Sequence, residues 1–323
     1  MRFPKTYSCL RNMKSYLYYL SLSLFLLLLF TSCTQTESKG VLAEGQRLKV
    51  VTTTGILKDA VLNIVGDAAD VESIMGSGVD PHLYKATQGD LNKLTGADMI
   101  IYNGLHLEGK MGEVLEKLGR LKTVIVASEG IAPSSLRNSS QFQGSYDPHI
   151  WFDVSLWQQV VQHLSKKLQQ KDPQHAELYQ QQTEAYLQQL ATLHEEVKTA
   201  IASIPEQQRI LITAHDAFGY FGDAYGIQVR GLQGISTVSE FGLQDVSSLV
   251  KYIVDNKIKA VFVESSVSPK AIEAVVEGVK DRGHEVRIGG TLYSDALGAD
   301  GTPEGTYEGM VRYNVRTIVS SLK

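Results

Sequence analysis

The stretch Leu211-Ile-Thr-Ala-His-Asp-Ala-Phe-Gly-Tyr220 holds an apolar run to Thr213, a His-Asp pair, and a helical pattern from Ala217. That order reads as a strand, a short turn and a helix start. In open α/β sheets, the turn at the carboxyl end of a strand is where ligands bind. His215 is therefore the residue to explain, and a single histidine explains little. Its weight comes from three other stretches placed the same way: Asp80-Pro-His82, Asp147-Pro-His149 and Tyr293-Ser-Asp295.

The chain on either side alternates strand and helix. Residues 48–53, 70–75, 99–103 and 123–127 read as strands, with helical patterns over 55–65, 87–96 and 110–118. Thr87 is placed to cap, with Asp90 at the capping-box position. Downstream, 209–213, 227–232, 260–264 and 285–288 read as strands, and 217–225, 243–256, 269–282 and 305–322 as helices, with Ser268 as a cap. Such alternation gives parallel sheets covered on both faces. Between the two series, residues 173–204 contain no glycine. Apolar or aromatic positions at Tyr186, Leu190, Leu193, Val197, Ile201 and Ile204 mark one helix face. A helix of that span is on the order of 45 Å long, too long for a crossover within one small lobe. The expected fold is α/β: two lobes, each with a roughly four-stranded parallel sheet flanked by helices, joined by one long helix. The expected boundaries are 48–172 for the N-terminal lobe, 173–204 for the linking helix and 205–323 for the C-terminal lobe.

The 323 residues are 43% hydrophobic, enough for two lobes of ordinary size. The segment before Cys33 carries four bases (Arg2, Lys5, Arg11, Lys14) and no acid. Its removal takes 31 bases to 27 against 35 acids, a net charge near −8. A mildly acidic chain without a basic block argues against nucleic acid as partner. Residues 1–32 read as a signal peptide, whose apolar core from Tyr16 to Phe30 falls short of the ~20 residues of a spanning helix. Leu29-Phe-Thr-Ser-Cys33 resembles a bacterial lipobox, with Phe30 as a departure from the small aliphatic residue usual there. An uncleaved anchor or an ordinary signal cut nearby are the alternatives, and each exports the chain. Residues 33–47 are polar and patternless, a flexible tether. Cys9 and Cys33 are the two cysteines, so a mature chain from Cys33 has no disulfide framework. Zinc would have to be held by histidines and carboxylates.

His82, His149, His215 and Asp295 all follow strands or the turns after them, two from each half. Three imidazoles and a carboxylate suit a divalent transition metal. Four protein ligands nearly fill a zinc tetrahedron, whereas a catalytic zinc usually keeps three and a water, so the count favours holding a metal over using one. Each residue alone has a plainer reading. Asp-Pro starts turns, so either histidine could bond its own loop, and Asp295 could cap the last segment. Asp216 beside His215 resembles the His-Asp pair of metal-dependent phosphohydrolases, or caps the helix from Ala217. Glu264 either supports a ligand histidine from behind, at the ring nitrogen that faces away from the metal, or bonds the turn after it. His106 could approach the cleft, though a loop histidine is the simpler reading. Trp151 and Phe152 read as packing residues, and His163, His175 and His194 as solvated helix faces.

Gly78-Val-Asp-Pro-His82, Asp147-Pro-His-Ile-Trp-Phe-Asp153, Thr213-Ala-His-Asp-Ala-Phe-Gly-Tyr-Phe221 and Gly290-Thr-Leu-Tyr-Ser-Asp-Ala-Leu-Gly298 stand in order along the chain. Together they resemble the four ligand motifs of the zinc/manganese solute-binding lipoproteins of metal ABC importers. The resemblance covers residues 48–323 and extends to the single long helix between lobes. It implies that His82, His149, His215 and Asp295 are metal ligands. The ligand carried is then one divalent transition metal ion, zinc favoured in vitro and manganese the alternative. It further implies a monomer, lipid-anchored through Cys33 to the cell envelope on its periplasmic or cell-surface face. That receptor hands its metal to a membrane permease driven by an ATPase, and performs no reaction. Two departures bear on the metal. Zinc-specific members often carry a His-rich loop before the second ligand, and no histidine occurs here between His106 and His149. Manganese- and iron-binding members often have Glu at the third position, where this chain has His215. Two rival readings remain: a zinc-dependent hydrolase using His215 and Asp216, and a surface adhesin in which the metal is structural.

Overall fold

Short β-branched runs form the first half's sheet. The computed structural model describes residues 46–139 and 144–323, so the export segment, Cys33 and most of the tether lie outside the described residues. The first half consists of β1 (Leu48–Thr52), α1 (Gly55–Val65), β2 (Ala69–Ser73), α2 (Gln88–Gly96), β3 (Met99–Tyr102), α3 (Gly112–Gly119) and β4 (Thr123–Val126). The strands are all parallel, in the order β2-β1-β3-β4. The chain leaves β1 to one side and returns on the other, which opens a crevice between the carboxyl ends of β1 and β3. Thr54 caps α1 by accepting from the Leu57 amide, a contact worth ~1 kcal/mol. The capping box of Thr87 and Asp90 is formed as expected.

Two long helices separate the halves. The first, α4 (Val154–Lys171), is not among the helices whose spans the sequence predicts, although His163 on it is expected on a helix face. Its signal is nonetheless present: Asp153 accepts from the Ser155 and Leu156 amides, and Leu156, Trp157, Val160, Val161, Leu164 and Leu168 are buried along one face. The long helix α5 (Ala176–Ala202) has 27 residues, about 40 Å, and a 3-10 turn over Pro173–His175 precedes it. Tyr179, Tyr186, Leu190, Leu193, Val197 and Ile201 are its buried stripe. That stripe packs against α1 and α4 of the earlier chain and against two helices of the second half.

The second half runs β5 (Ile210–His215), α6 (Gly219–Tyr225), β6 (Gln228–Gln233), α7 (Leu243–Asp255), β7 (Ala260–Glu264), α8 (Lys270–Asp281), β8 (Arg287–Leu292) and α9 (Tyr307–Leu322). Its four strands pair two by two, β5 with β6 and β7 with β8, all parallel. β5 lies beside β7. At the carboxyl end of that seam a side chain replaces the ladder, the His215 amide donating to Glu264 Oε1 at 2.8 Å. β8 starts later and runs further than 285–288, through Gly289 and Gly290. The cause is packing: a Cβ on Gly289 would lie 2.8 Å from Ser321 and 2.9 Å from Phe262, so the glycine admits α9 against the strand. Pro269, and not Ser268, is the N-cap of α8. α6 begins at Gly219 with Phe218 as N-cap, so Asp216 does not cap it. One buried core runs from Leu48 through the stripe of α5 to Leu322 and joins both halves. No described helix is long and apolar enough to cross a membrane.

Candidate metal centre

Four separate pieces of chain bring the candidate residues together. His82 lies in the loop after β2, where its amide donates to Asp80 Oδ1 at 2.8 Å. His149 repeats that turn beyond β4, its amide 3.0 Å from Asp147 Oδ1. His215 is the last residue of β5, and Asp295 follows β8. All four are at most 1% exposed. Each presents one nitrogen or oxygen, and these four atoms lie within 4.8 Å of one another. The Nε2 atoms of His82 and His149 are 3.4 Å apart. Asp295 Oδ1 is 3.4 Å from His149 Nε2, and Oδ2 is 3.3 Å from His215 Nε2 and 4.0 Å from His82 Nε2. These are ion contacts without hydrogen-bond geometry: neither Asp295 oxygen, nor His215 Nε2, has a hydrogen-bond partner. Buried polar atoms are normally paired, and a cation seated among these donors would supply the missing partner.

The three imidazoles differ in what lies behind them. Asp147 Oδ1 is 2.7 Å from His149 Nδ1. Glu264 Oε2 is 2.5 Å from His215 Nδ1, at an angle unlike that of a hydrogen bond, while its Oε1 holds the His215 amide. Among the described residues no carboxylate contacts His82 Nδ1. Burial lowers all three imidazoles, but Asp147 and Asp295 reverse this at His149 and take it to about 9. At His215, Glu264 and Asp295 likewise outweigh burial and hold it well above the usual range. At His82 burial wins over Asp295, and its pKa falls to about 3. Burial would raise Asp295, but His215 and His149 hold it well below the usual carboxylate range.

The second half grips the segment that carries His149. The Tyr220 hydroxyl accepts from the Arg137 amide at 2.9 Å and donates to the Asp147 carbonyl at 3.0 Å. Trp151 Nε1 donates to the Ser294 carbonyl at 3.0 Å, beside Asp295, and the Tyr307 hydroxyl donates to the Trp151 carbonyl at 2.7 Å. Phe152 packs on Phe218 with ring centres 4.2 Å apart. Trp151 and Phe152 thus pack as expected, and their packing fixes His149 against Asp295.

Other residues fall outside this group. Asp216 is not one of the four, and its carboxyl is pushed up by burial and by Asp147. His106 is exposed, and with His82, Leu105, Tyr146, Pro148 and Val238 it lines a cavity of about 350 Å³ beside the centre. His163, His175 and His194 are half-buried instead of solvated, with His175 bonded to Asp172 and His194 to the Tyr225 hydroxyl. The sequence does not reveal every contributor. Asp147 and Asp80 were read only as turn starters. Thr237, whose hydroxyl donates to Asp80 Oδ2 at 2.6 Å across 157 residues, carries no local signal.

Known proteins share this architecture. The family described as zinc-uptake complex component A, periplasmic, matches residues 50–321. The manganese-binding lipoprotein MntA of Bacillus subtilis (strain 168) is 49% identical over 300 residues, 93% of this chain and 97% of that protein. The zinc-binding protein TroA of Treponema pallidum (strain Nichols) is 48% identical over 285 residues, 88% of this chain and 92% of that protein. A solved structure of the periplasmic zinc-binding protein TroA from Treponema pallidum aligns with a TM-score of 0.84 and 47% identity, covering 86% of this chain and 99% of that one. These are binding proteins, which leaves the hydrolase reading without support. The chain belongs to the periplasmic zinc-uptake component A family, the metal-binding receptors of ABC importers.

Proposed function

We propose that His82, His149, His215 and Asp295 are the ligands of one divalent transition metal ion, which the protein carries as cargo to the permease and ATPase of an ABC importer. The observation behind this reading is the convergence of four buried donor atoms within 4.8 Å, with both Asp295 oxygens unpaired. Asp147 and Glu264 sit at the Nδ1 atoms of His149 and His215. There they favour the tautomer that leaves Nε2 free for the metal. Two lobes, 48–172 and 205–323, hold the ion between them, and residues 173–204 link them. The receptor works as a monomer on the outer side of the membrane. Cys33 is the acylated anchor; undiminished fatty-acid labelling of Cys33→Ala would refute that assignment.

Once the metal has displaced the imidazole protons, three nitrogens and one carboxylate favour zinc, since manganese prefers more oxygen and lies lower in intrinsic affinity for such sites. Zinc in thousandfold excess over its Kd stabilises the folded state by about 4 kcal/mol. It should raise the melting temperature more than equal free manganese does. Replacing His215 by Glu trades a nitrogen for oxygen and adds charge, so His215→Glu should narrow the preference for zinc. Competitive titration with buffered metals tests both statements. Unchanged affinities for both metals in His215→Glu would remove His215 from the site.

A further inference from the structure

The crevice between β1 and β3 holds a carboxylate that the ligand set does not use. Glu108 is 2% exposed. Its Oε1 accepts from the Asn103 amide at 2.6 Å and the Thr53 hydroxyl at 2.8 Å, and its Oε2 from the Gly104 amide at 3.2 Å. These donors come from the ends of β1 and β3, so the side chain staples the two strands where the sheet divides. The same bonds hold a turn in which Gly104, Leu105 and His106 have φ of 83°, 52° and 65°. Two of the three are not glycine, and such a run persists only where its surroundings over-determine it.

The turn touches both ligand loops of the first half. Asn103 Nδ2 donates to the Pro148 carbonyl at 3.0 Å, one residue before His149. Gly109 lies directly under the His82 carbonyl, where a Cβ would come within 2.5 Å of the oxygen. We propose that Glu108 is a positioning residue: through the turn it fixes, it sets the places of His82 and His149 relative to each other. The inference rests on the proposed metal-binding function. In the second half, Glu264 contacts the ligand His215 directly. Glu108 touches neither imidazole and acts on two loops at once through their backbones.

The test uses the folded protein and zinc alone, by competitive titration beside the wild type. Glu108→Gln keeps the shape but must turn an amide NH₂ toward a donor at one end, so at least one bond is lost. It should weaken zinc binding by roughly tenfold or more, the range for lost outer support. Asn103→Ala removes the tie to Pro148, and Gly109→Ala presses on the His82 carbonyl; each should weaken binding by a smaller factor. A role in folding alone would lower the melting temperature of the metal-free protein and leave the affinity of the folded fraction unchanged. Positioning further predicts coupling, so Gly109→Ala should cost nothing more in a His82→Ala background. Wild-type affinity in folded Glu108→Gln, or an undiminished effect of Gly109→Ala in His82→Ala, overturns the inference. A wild type that binds no zinc overturns the metal-binding function itself.

Discussion

The two Asp-Pro-His turns have the same sequence and the same local bond, from the histidine amide to the aspartate two residues before it. Beyond that bond they diverge. Asp147 is fully buried; its Oδ1 serves its own histidine, reaching Nδ1 as well as the amide, while its Oδ2 lies 3.8 Å from Arg137 Nε. Asp80 is half-buried and reaches away, accepting the Thr237 hydroxyl from the other half of the chain. The imidazoles respond in opposite senses, His149 rising to about 9 and His82 falling to about 3. A tripeptide therefore fixes the turn but not its electrostatic role, which depends on what distant elements place beside it.

The largest test of this contrast replaces each aspartate. Asp147→Asn keeps an acceptor for the amide but removes the charge behind His149, and should weaken zinc binding ~10–100-fold. Asp80→Asn should change affinity by much less, because among the described residues nothing carboxylic stands behind the His82 ring. Equal losses in the two variants, measured by competitive titration, would erase the distinction. A second test reads the metal-free protein. Both imidazoles start from an ordinary value of about 6.5. The raised His149 contributes stability that is complete below about 6.5 and is lost as pH rises through 9. The lowered His82 contributes in the other sense, with stability present above about 6.5 and lost as pH falls toward 3. Imidazole resonances followed by NMR should show His149 still charged at pH 7.5 and His82 neutral at pH 5. Two titrations near 6.5 would contradict this. The smallest effect is expected at Thr237. Thr237→Val cuts the hydrogen bond by which Asp80 reaches the second half, and should speed zinc release a few-fold, a fraction of the ~1.5–3 kcal/mol that a bond to a charged group contributes. Stopped-flow release into a chelator would measure it, and an unchanged rate would leave the bond without kinetic meaning.

Much of the fold was legible because it rests on periodicity. The span of α1, the capping box at Thr87 and strand β7 are where apolar spacing and capping chemistry put them. α4 carries an equally plain signal, Asp153 as cap and one apolar face, but it follows the His149 turn directly, with no Gly or Pro to mark its start. The end of β8 was not legible: Gly289-Gly290 reads as a turn unless one knows that α9 lies against it. At the centre, the four converging side chains stood out by residue type and by position after strands. Their supports were harder to read. Glu264 could be guessed because it ends a strand beside β5. Glu108 and Thr237 could not, since the bonds that give them meaning are made to Thr53 and Asp80, in other elements altogether.

The packing of α9 bears on when the centre comes into being. Its parts extend from position 82 to position 295, and the hydroxyl that holds the Trp151 carbonyl belongs to Tyr307, in the last helix. No fragment from the front of the chain contains the set, and a chain still threading through a membrane carries only scattered histidines. The centre therefore needs nearly the whole chain, and the last helix supplies one of the bonds that hold the His149 segment. A set so dispersed can take an ion only where the nearly complete chain is present, so the compartment of folding bears, beside coordination chemistry, on which metal is met first.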